Sequence, residues 1–134
     1  MKSPSELTVA MWVQFETPGE TGTYFTLYSV DSPDHPTNRR VLMQAVNSGV
    51  YVNFFDSDSN NPSIFLQFPP YVPITNGQWH HIAVTWSGVT GTLTLVGDGS
   101  IADKRENYGV GYSLSPYGYV TLGSTMEGED GRTR

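Results

Sequence analysis

Residues 7–15, LTVAMWVQF, alternate strictly. Leu7, Val9, Met11, Val13 and Phe15 fall on one face; Thr8, Ala10, Trp12 and Gln14 fall on the other. A repeat of two is that of an extended strand with one apolar face. ETPGETG then interrupts the pattern with Pro18, Gly19 and Gly22. TYFTLYSV, 23–30, is rich in aromatic and β-branched residues and predicts a second strand. After the loop DSPDHPTN, RRVLMQAV predicts a strand at 39–46. NSG is a tight hairpin signal, and VYVNFFDS is its return. DSNNP marks a turn before SIFLQF at 63–68, and PPYVP lacks the donors of a regular ladder.

The central stretch NGQWHHIAVTWSGVTGTLTLVGDG, 76–99, reads as turn, strand, turn, strand, turn. Strands are predicted from Trp79 to Trp86 and from Thr92 to Val96. The segment 100–117 is weakly patterned and reads as loop with short strand. YGYVTLG predicts a last strand at 118–122, and residues 124–134 read as a loop or frayed tail. No run of ten residues has helical periodicity. About eight short strands at roughly ten-residue spacing predict an all-β fold, a two-sheet antiparallel β-sandwich or jelly roll.

Within WHHIAVTW, alternation puts His80, Ile82, Val84 and Trp86 on one face. Trp79, His81, Ala83 and Thr85 go to the other. The paired histidines therefore point to opposite sides and cannot grip one metal without a bulge. His35 sits in a separate loop and supplies no zinc-type spacing. Both adjacent histidines are read as structural.

Composition narrows the function. The 134 residues suit one domain with one modest core. Hydrophobic residues are 37% and aromatics 13%, and the rings offset the low total because each buries a large area. A net charge of −6 opposes binding to nucleic acid, where clustered Lys and Arg neutralise phosphates. No apolar run approaches the roughly 20 residues of a membrane-spanning helix, so no membrane insertion is expected of this segment. The absence of cysteine excludes disulfides and thiolate metal sites. Asn61-Pro62-Ser63 is no glycosylation acceptor, because proline holds its middle position. No secretory apolar core follows Met1-Lys2, so the N-terminus assigns no compartment.

The run WHHIAVTW, a short turn, GTLTL and then DG resembles the signature strand pair of laminin-G-like and pentraxin-like domains, which are concanavalin A-like jelly rolls. LTVAMWVQF resembles the family's early strand. Tyr108-Gly109-Val110-Gly111-Tyr112 and then YVTLG resemble its approach to a calcium loop. The likeness covers about residues 6 to 124. It implies an extracellular or cell-surface recognition and adhesion module of a larger protein, binding protein or glycan through its loops and doing no chemistry. Pentraxins carry a cysteine in each of the two matching strands, where this chain has Ala10 and Ala83, on the face shared with Trp12 and Trp79. That loss is natural in many laminin-G-like domains; engineering for the cytosol is the other explanation. The family's domain is also longer at both ends. The resemblance thus implies that residues 1–134 form a single but incomplete domain, a fragment or one completed by a partner, including a homodimer by strand exchange.

Calcium is the family's usual cofactor and needs about six to eight converging oxygens. The family's Asp-Asn pair is matched here by Asn38 and Arg39, and a guanidinium opposes a divalent cation. In the acidic loop after LG, only Glu127 keeps a carboxylate near the matching place. In DSDSNN, Asp56 and Asp58 with Asn60 imitate half of an EF-hand loop. Asn61 stands where glycine is needed and Gln67 where glutamate is needed. No cofactor is expected beyond a single weak calcium at Asp56, Asp58 or Glu127. For glycoside hydrolysis, Glu127, Glu129 and Asp130 offer carboxylates, but in a glycine-rich terminal segment rather than along a strand. Tyr108, Tyr112, Tyr117 and Tyr119 form the candidate ligand platform, since aromatic rings stack on sugars and peptides; the alternative is that they seal the sandwich rim. Arg39 and Arg40 are the candidates for an acidic partner. Two further readings stay open, a carbohydrate-binding or glucanase-like jelly roll and a structural module that assembles by edge pairing.

Overall fold

A computed structural model describes residues 5–15, 25–31, 39–46, 48–54, 64–68, 74, 76–114 and 119–123. Among the described residues there are nine strands and no helix. They are β1 (Glu6–Gln14), β2 (Phe25–Asp31), β3 (Arg39–Val46), β4 (Gly49–Phe54), β5 (Ile64–Gln67), β6 (Trp79–Ser87), β7 (Thr92–Gly97), β8 (Ser100–Arg105) and β9 (Tyr119–Leu122). They form two antiparallel sheets, one of order β1-β6-β7-β8 and one of order β5-β4-β3-β2-β9. This is the expected β-sandwich. No described helix is long and apolar enough to cross a membrane.

The alternation read along the chain becomes alternation of burial. On β6, His80, Ile82, Val84 and Trp86 are buried while Trp79 is exposed and His81, Ala83 and Thr85 are half-covered. On β1 the same period gives half-buried and exposed positions, because β1 is the last strand of its sheet. The core lies between the sheets. Ile82, Val84, Trp86, Leu93 and Leu95 of the four-stranded sheet meet Val41, Met43, Val50, Val52, Phe54 and Leu66 of the other. Phe54 stands edge-on to Trp86 at 4.8 Å between ring centroids. Gly97 ends β7 without a side chain because Phe68 packs there, and a Cβ would collide with its ring.

Strand β8 falls in the segment read as mainly loop. Its alternation is broken by a bulge: Leu95 faces Asp103 and Val96 faces Ile101, leaving Ala102 as the extra residue. The bulge keeps Ala102 and Asp103 on the covered side. The Asp103 carboxylate then reaches the facing sheet, where it accepts a hydrogen bond from the Gln67 amide at 2.9 Å. Arg105 donates to Asp103 at 2.7 Å and to the Phe65 carbonyl at 3.3 Å. The β5 and β8 edges are thereby tied together. At the opposite side β1 and β9 end their sheets. Val120 and Leu122 stand opposite Val30 and Tyr28, which in turn face the buried Val41 and Met43. They continue that apolar row, yet are 60% and 68% exposed.

Candidate functional site

The paired histidines separate as the register requires. The His80 ring is buried, with Nδ1 at 2.8 Å from Asp98 Oδ2 and Nε2 at 2.9 Å from Asn76 Oδ1. It stands edge-on to Phe68 at 5.5 Å. Asn76 Oδ1 also accepts from the Gln78 amide, and Asp98 Oδ1 accepts from the His81 amide. Partial burial pushes the Asp98 carboxyl up, but the hydrogen bonds from His80 and from the His81 backbone, with the nearby imidazole charge, hold it below its ordinary value. The cluster locks the turn before β6 to the turn after β7. His81 points away and stands edge-on to Trp12 at 5.3 Å. Among the described residues no three of His, Asp and Glu come together as a metal cluster.

The expected loop platform is partly dissolved into the core. Tyr108 is 3% exposed and packs on Phe54 at 5.3 Å. Its carbonyl accepts the Trp86 indole N–H at 2.9 Å. Burial pushes its phenol up to about 12, which the nearby Phe54 backbone offsets only in part. The buried hydroxyl has no hydrogen-bond partner of good geometry. Tyr112 stacks parallel to Phe54 at 6.1 Å and remains half-buried. Tyr119 opens β9 opposite Asp31, and Asp31 is also opposite Arg39, so Tyr119 and Arg39 flank one residue of β2. Arg40 follows Arg39 at the start of β3. Tyr117, Asp56, Asp58, Glu127, Glu129 and Asp130 lie outside the described residues.

The loop end itself is stiff. Tyr108 N–H donates to the Gly91 carbonyl at 2.8 Å and Gly111 N–H to the Gly88 carbonyl at 2.8 Å. Asn107, Gly109 and Gly111 take positive φ to make these returns. The two segments present exposed Val89 and Val110 beside Tyr112.

A second surface went unnamed as a site in the sequence reading. Across the outer face of the four-stranded sheet, register aligns Thr8 with Thr85, Thr94 and Lys104. The next row is Ala10, Ala83, Val96 and Ile101. The third places Trp12 opposite His81, and the last places Gln14 opposite Trp79. Trp12 and Trp79 are diagonal neighbours on this face, 66% and 61% exposed. Their shared face was legible in the alternation. Their proximity was not, because it depends on the β1–β6 register. The same register puts Ala10 directly opposite Ala83, the two positions that the family resemblance matched to a cysteine pair.

The fold is of the all-β class, an antiparallel two-sheet sandwich whose longest strands, β1 and β6, are paired. The comparisons make this specific: residues 1–133 match the Laminin_G_3 family, described as the concanavalin A-like lectin/glucanases superfamily, and the chain belongs to that family. Human neuronal pentraxin-1 is 28% identical over 120 residues, covering 90% of this chain and 25% of that protein. The mouse sushi, von Willebrand factor type A, EGF and pentraxin domain-containing protein 1 is 26% identical over 121 residues, 90% of this chain and 3% of that one. This chain therefore spans a quarter or less of these two relatives. The native heptameric SAP-like pentraxin from Limulus polyphemus superposes with a TM-score of 0.71 at 20% identity, over 97% of this chain and 57% of that one. That likeness concerns the fold.

Proposed function

We propose that the chain is a non-catalytic recognition module of a larger extracellular protein, binding a protein or glycan ligand through the loops at one end of the sandwich. The observation that carries the reading is the stapled rim formed by residues 88–91 and 107–112. Its backbone is fixed by hydrogen bonds and by the Trp86 indole, so it presents Val89, Val110 and Tyr112 with little ordering cost on binding. Family membership supports it, as do relatives whose names place them among pentraxins. Three of the described carboxylates have structural tasks: Asp98 holds His80, Asp103 ties two sheets, and Glu106 accepts from Thr92 at 3.0 Å. Arg39, Arg40, Tyr117 and Tyr119 stay candidate ligand contacts in the same reading, as does a single weak calcium at Asp56, Asp58 or Glu127. Two assays test it: an array of immobilised glycans and ectodomain proteins probed with the tagged chain, and thermal melts with calcium or EDTA. Binding lost in Tyr112→Ala and Val110→Asp supports the rim; binding indifferent to both removes it. A midpoint raised by calcium supports the metal, since a ligand of the native state alone must raise it.

A second reading, assembly through sheet edges, is favoured by the exposed Val120 and Leu122 of β9, which, like β1, ends its sheet among the described strands. Sedimentation of the chain over a concentration series separates the two: self-association that Leu122→Lys abolishes supports assembly.

A further inference from the structure

We propose that Asn76 is a self-modifying residue. Its side chain condenses with the Gly77 backbone to a succinimide, which opens to aspartate or isoaspartate. The reaction is a slow clock that loosens the corner where β1, β6 and the turn after β7 are tied together.

Of the asparagines in the chain, Asn76 is the one followed by glycine. Glycine carries no side chain beside its own nitrogen, so that nitrogen can approach a neighbouring carbonyl group closely. Gly77 takes φ 81°. A Cβ built on it meets nothing nearer than the Phe15 carbonyl oxygen at 3.9 Å, so the space around it is open. Asn76 itself is exposed, and water reaches it.

The fold adds what the dipeptide alone lacks. Asn76 Oδ1 accepts from the Gln78 amide at 3.0 Å, which makes an Asx turn. That turn folds the carboxamide back over the Gly77 peptide and sets Cγ beside the Gly77 nitrogen. A backbone amide only donates, so the atom it meets is the side-chain oxygen and not the nitrogen. The same oxygen lies 2.9 Å from His80 Nε2. An amide oxygen only accepts, so Nε2 donates to it. Oδ1 therefore has two donors. Attack on Cγ drives negative charge onto this oxygen, and donors placed in advance stabilise that charge as it develops. The His80 ring cannot turn away. Asp98 Oδ2 holds Nδ1 at 2.8 Å, the His81 amide holds Asp98, and the ring stands edge-on to Phe68.

The steps balance with water as the one co-reactant. The Gly77 nitrogen gives up its proton and forms a bond to Asn76 Cγ. The Cγ–Nδ2 bond breaks, and ammonia leaves with that proton. Water then opens the imide. Opening at Cγ gives ordinary aspartate, which keeps an oxygen for both donors. Opening at the backbone carbonyl gives isoaspartate, whose main chain runs through Cβ and is one carbon longer. The Asx turn is then lost, and the buried His80 ring loses its Nε2 partner. The Gln14 side chain, which donates to the Gly77 carbonyl at 3.0 Å, loses its fixed anchor on the same turn.

The test incubates the folded chain at physiological temperature and pH, beside the same chain unfolded in guanidinium chloride. Peptide mapping by mass spectrometry follows the amide-to-acid change at each asparagine, with fragmentation that separates isoaspartate from aspartate. Asn76 is expected to convert several-fold faster in the folded chain than in the unfolded one. His80→Phe, which keeps a ring against Phe68 but removes the donor, is expected to slow the folded rate about tenfold. Asp98→Asn, at a partly exposed position, is expected to slow it less. The chromatographically separated isoaspartate form is expected to unfold at lower urea than the parent. A folded rate equal to or below the unfolded one overturns the proposal, since the turn then protects Asn76. Equal conversion at Asn47 or Asn107 overturns it as well. An unchanged rate in folded His80→Phe removes the donor from the account; if that variant does not fold, an unchanged rate in Asp98→Asn does so. An isoaspartate form as stable as the parent overturns the loosening of the corner.

Discussion

The two faces of the four-stranded sheet are built from the same strands and behave as different materials. Inward, Ile82, Val84, Trp86, Leu93 and Leu95 are sealed, and even His80 is tied at both ring nitrogens. Outward, Trp12 and Trp79 lie open beside His81 and Gln14, with rows of alanine and threonine beyond Trp12. Residue type alone does not separate the faces, since each carries tryptophan and histidine. What separates them is parity along β6, so an indole at position 86 is a structural element and an indole at position 79 is open to solvent. A one-residue slip of β6 would exchange the two.

The comparison is broken most severely from the inside. Trp86→Ala removes the ring that meets Phe54 and Tyr112 and the donor that holds the Tyr108 carbonyl. A loss of about 3–5 kcal/mol is expected in urea denaturation, enough to leave a domain of this size marginal or unfolded. On the outer face the largest effect is a gain. Ala10 and Ala83 are directly opposed, at a separation that suits a disulfide. The double change Ala10→Cys and Ala83→Cys is expected to raise stability by about 2–4 kcal/mol on oxidation, read as a midpoint difference between oxidised and reduced samples.

Smaller effects sharpen the contrast. Asp98 is held below its ordinary value of 3.8 in the folded chain. A depressed carboxyl contributes stability that is present above the unfolded value and lost as pH falls through the folded one. Asp98→Asn should therefore flatten the acid limb of the stability profile below about pH 4. Because the carboxylate is 48% exposed, the effect at neutral pH should stay near or below about 1 kcal/mol. Smallest of all, Trp12→Ala and Trp79→Ala should change the unfolding free energy by no more than about 0.5 kcal/mol each in urea denaturation, despite removing the same ring as Trp86→Ala.

Much of this was legible in the chain. Period-two alternation placed β1 and β6 and assigned the faces of His80 and His81, because side-chain direction in a strand needs no tertiary information. Strand β8 was harder. Its bulge at Ala102 breaks the alternation, and Asp103 and Arg105 look like surface residues until the facing sheet supplies Gln67 and Phe65. The tyrosine cluster shows the same limit. Tyr108 and Tyr112 sit in a glycine-rich loop that resembles an exposed one, yet the loop folds back on Trp86 and Phe54. The pairing of Trp12 with His81 and its nearness to Trp79 required the register between strands more than sixty residues apart.

The parity of β6 is tested most directly by acrylamide quenching of three variants that each retain one tryptophan, the other two being replaced by phenylalanine. With Trp12 or Trp79 retained, emission should be red-shifted and strongly quenched in the folded monomer; with Trp86 retained, it should be blue-shifted and protected until the chain unfolds. Protected emission from Trp12 and Trp79, or free quenching of Trp86 in the native state, would contradict the assignment of faces and with it both the core and the open outer face.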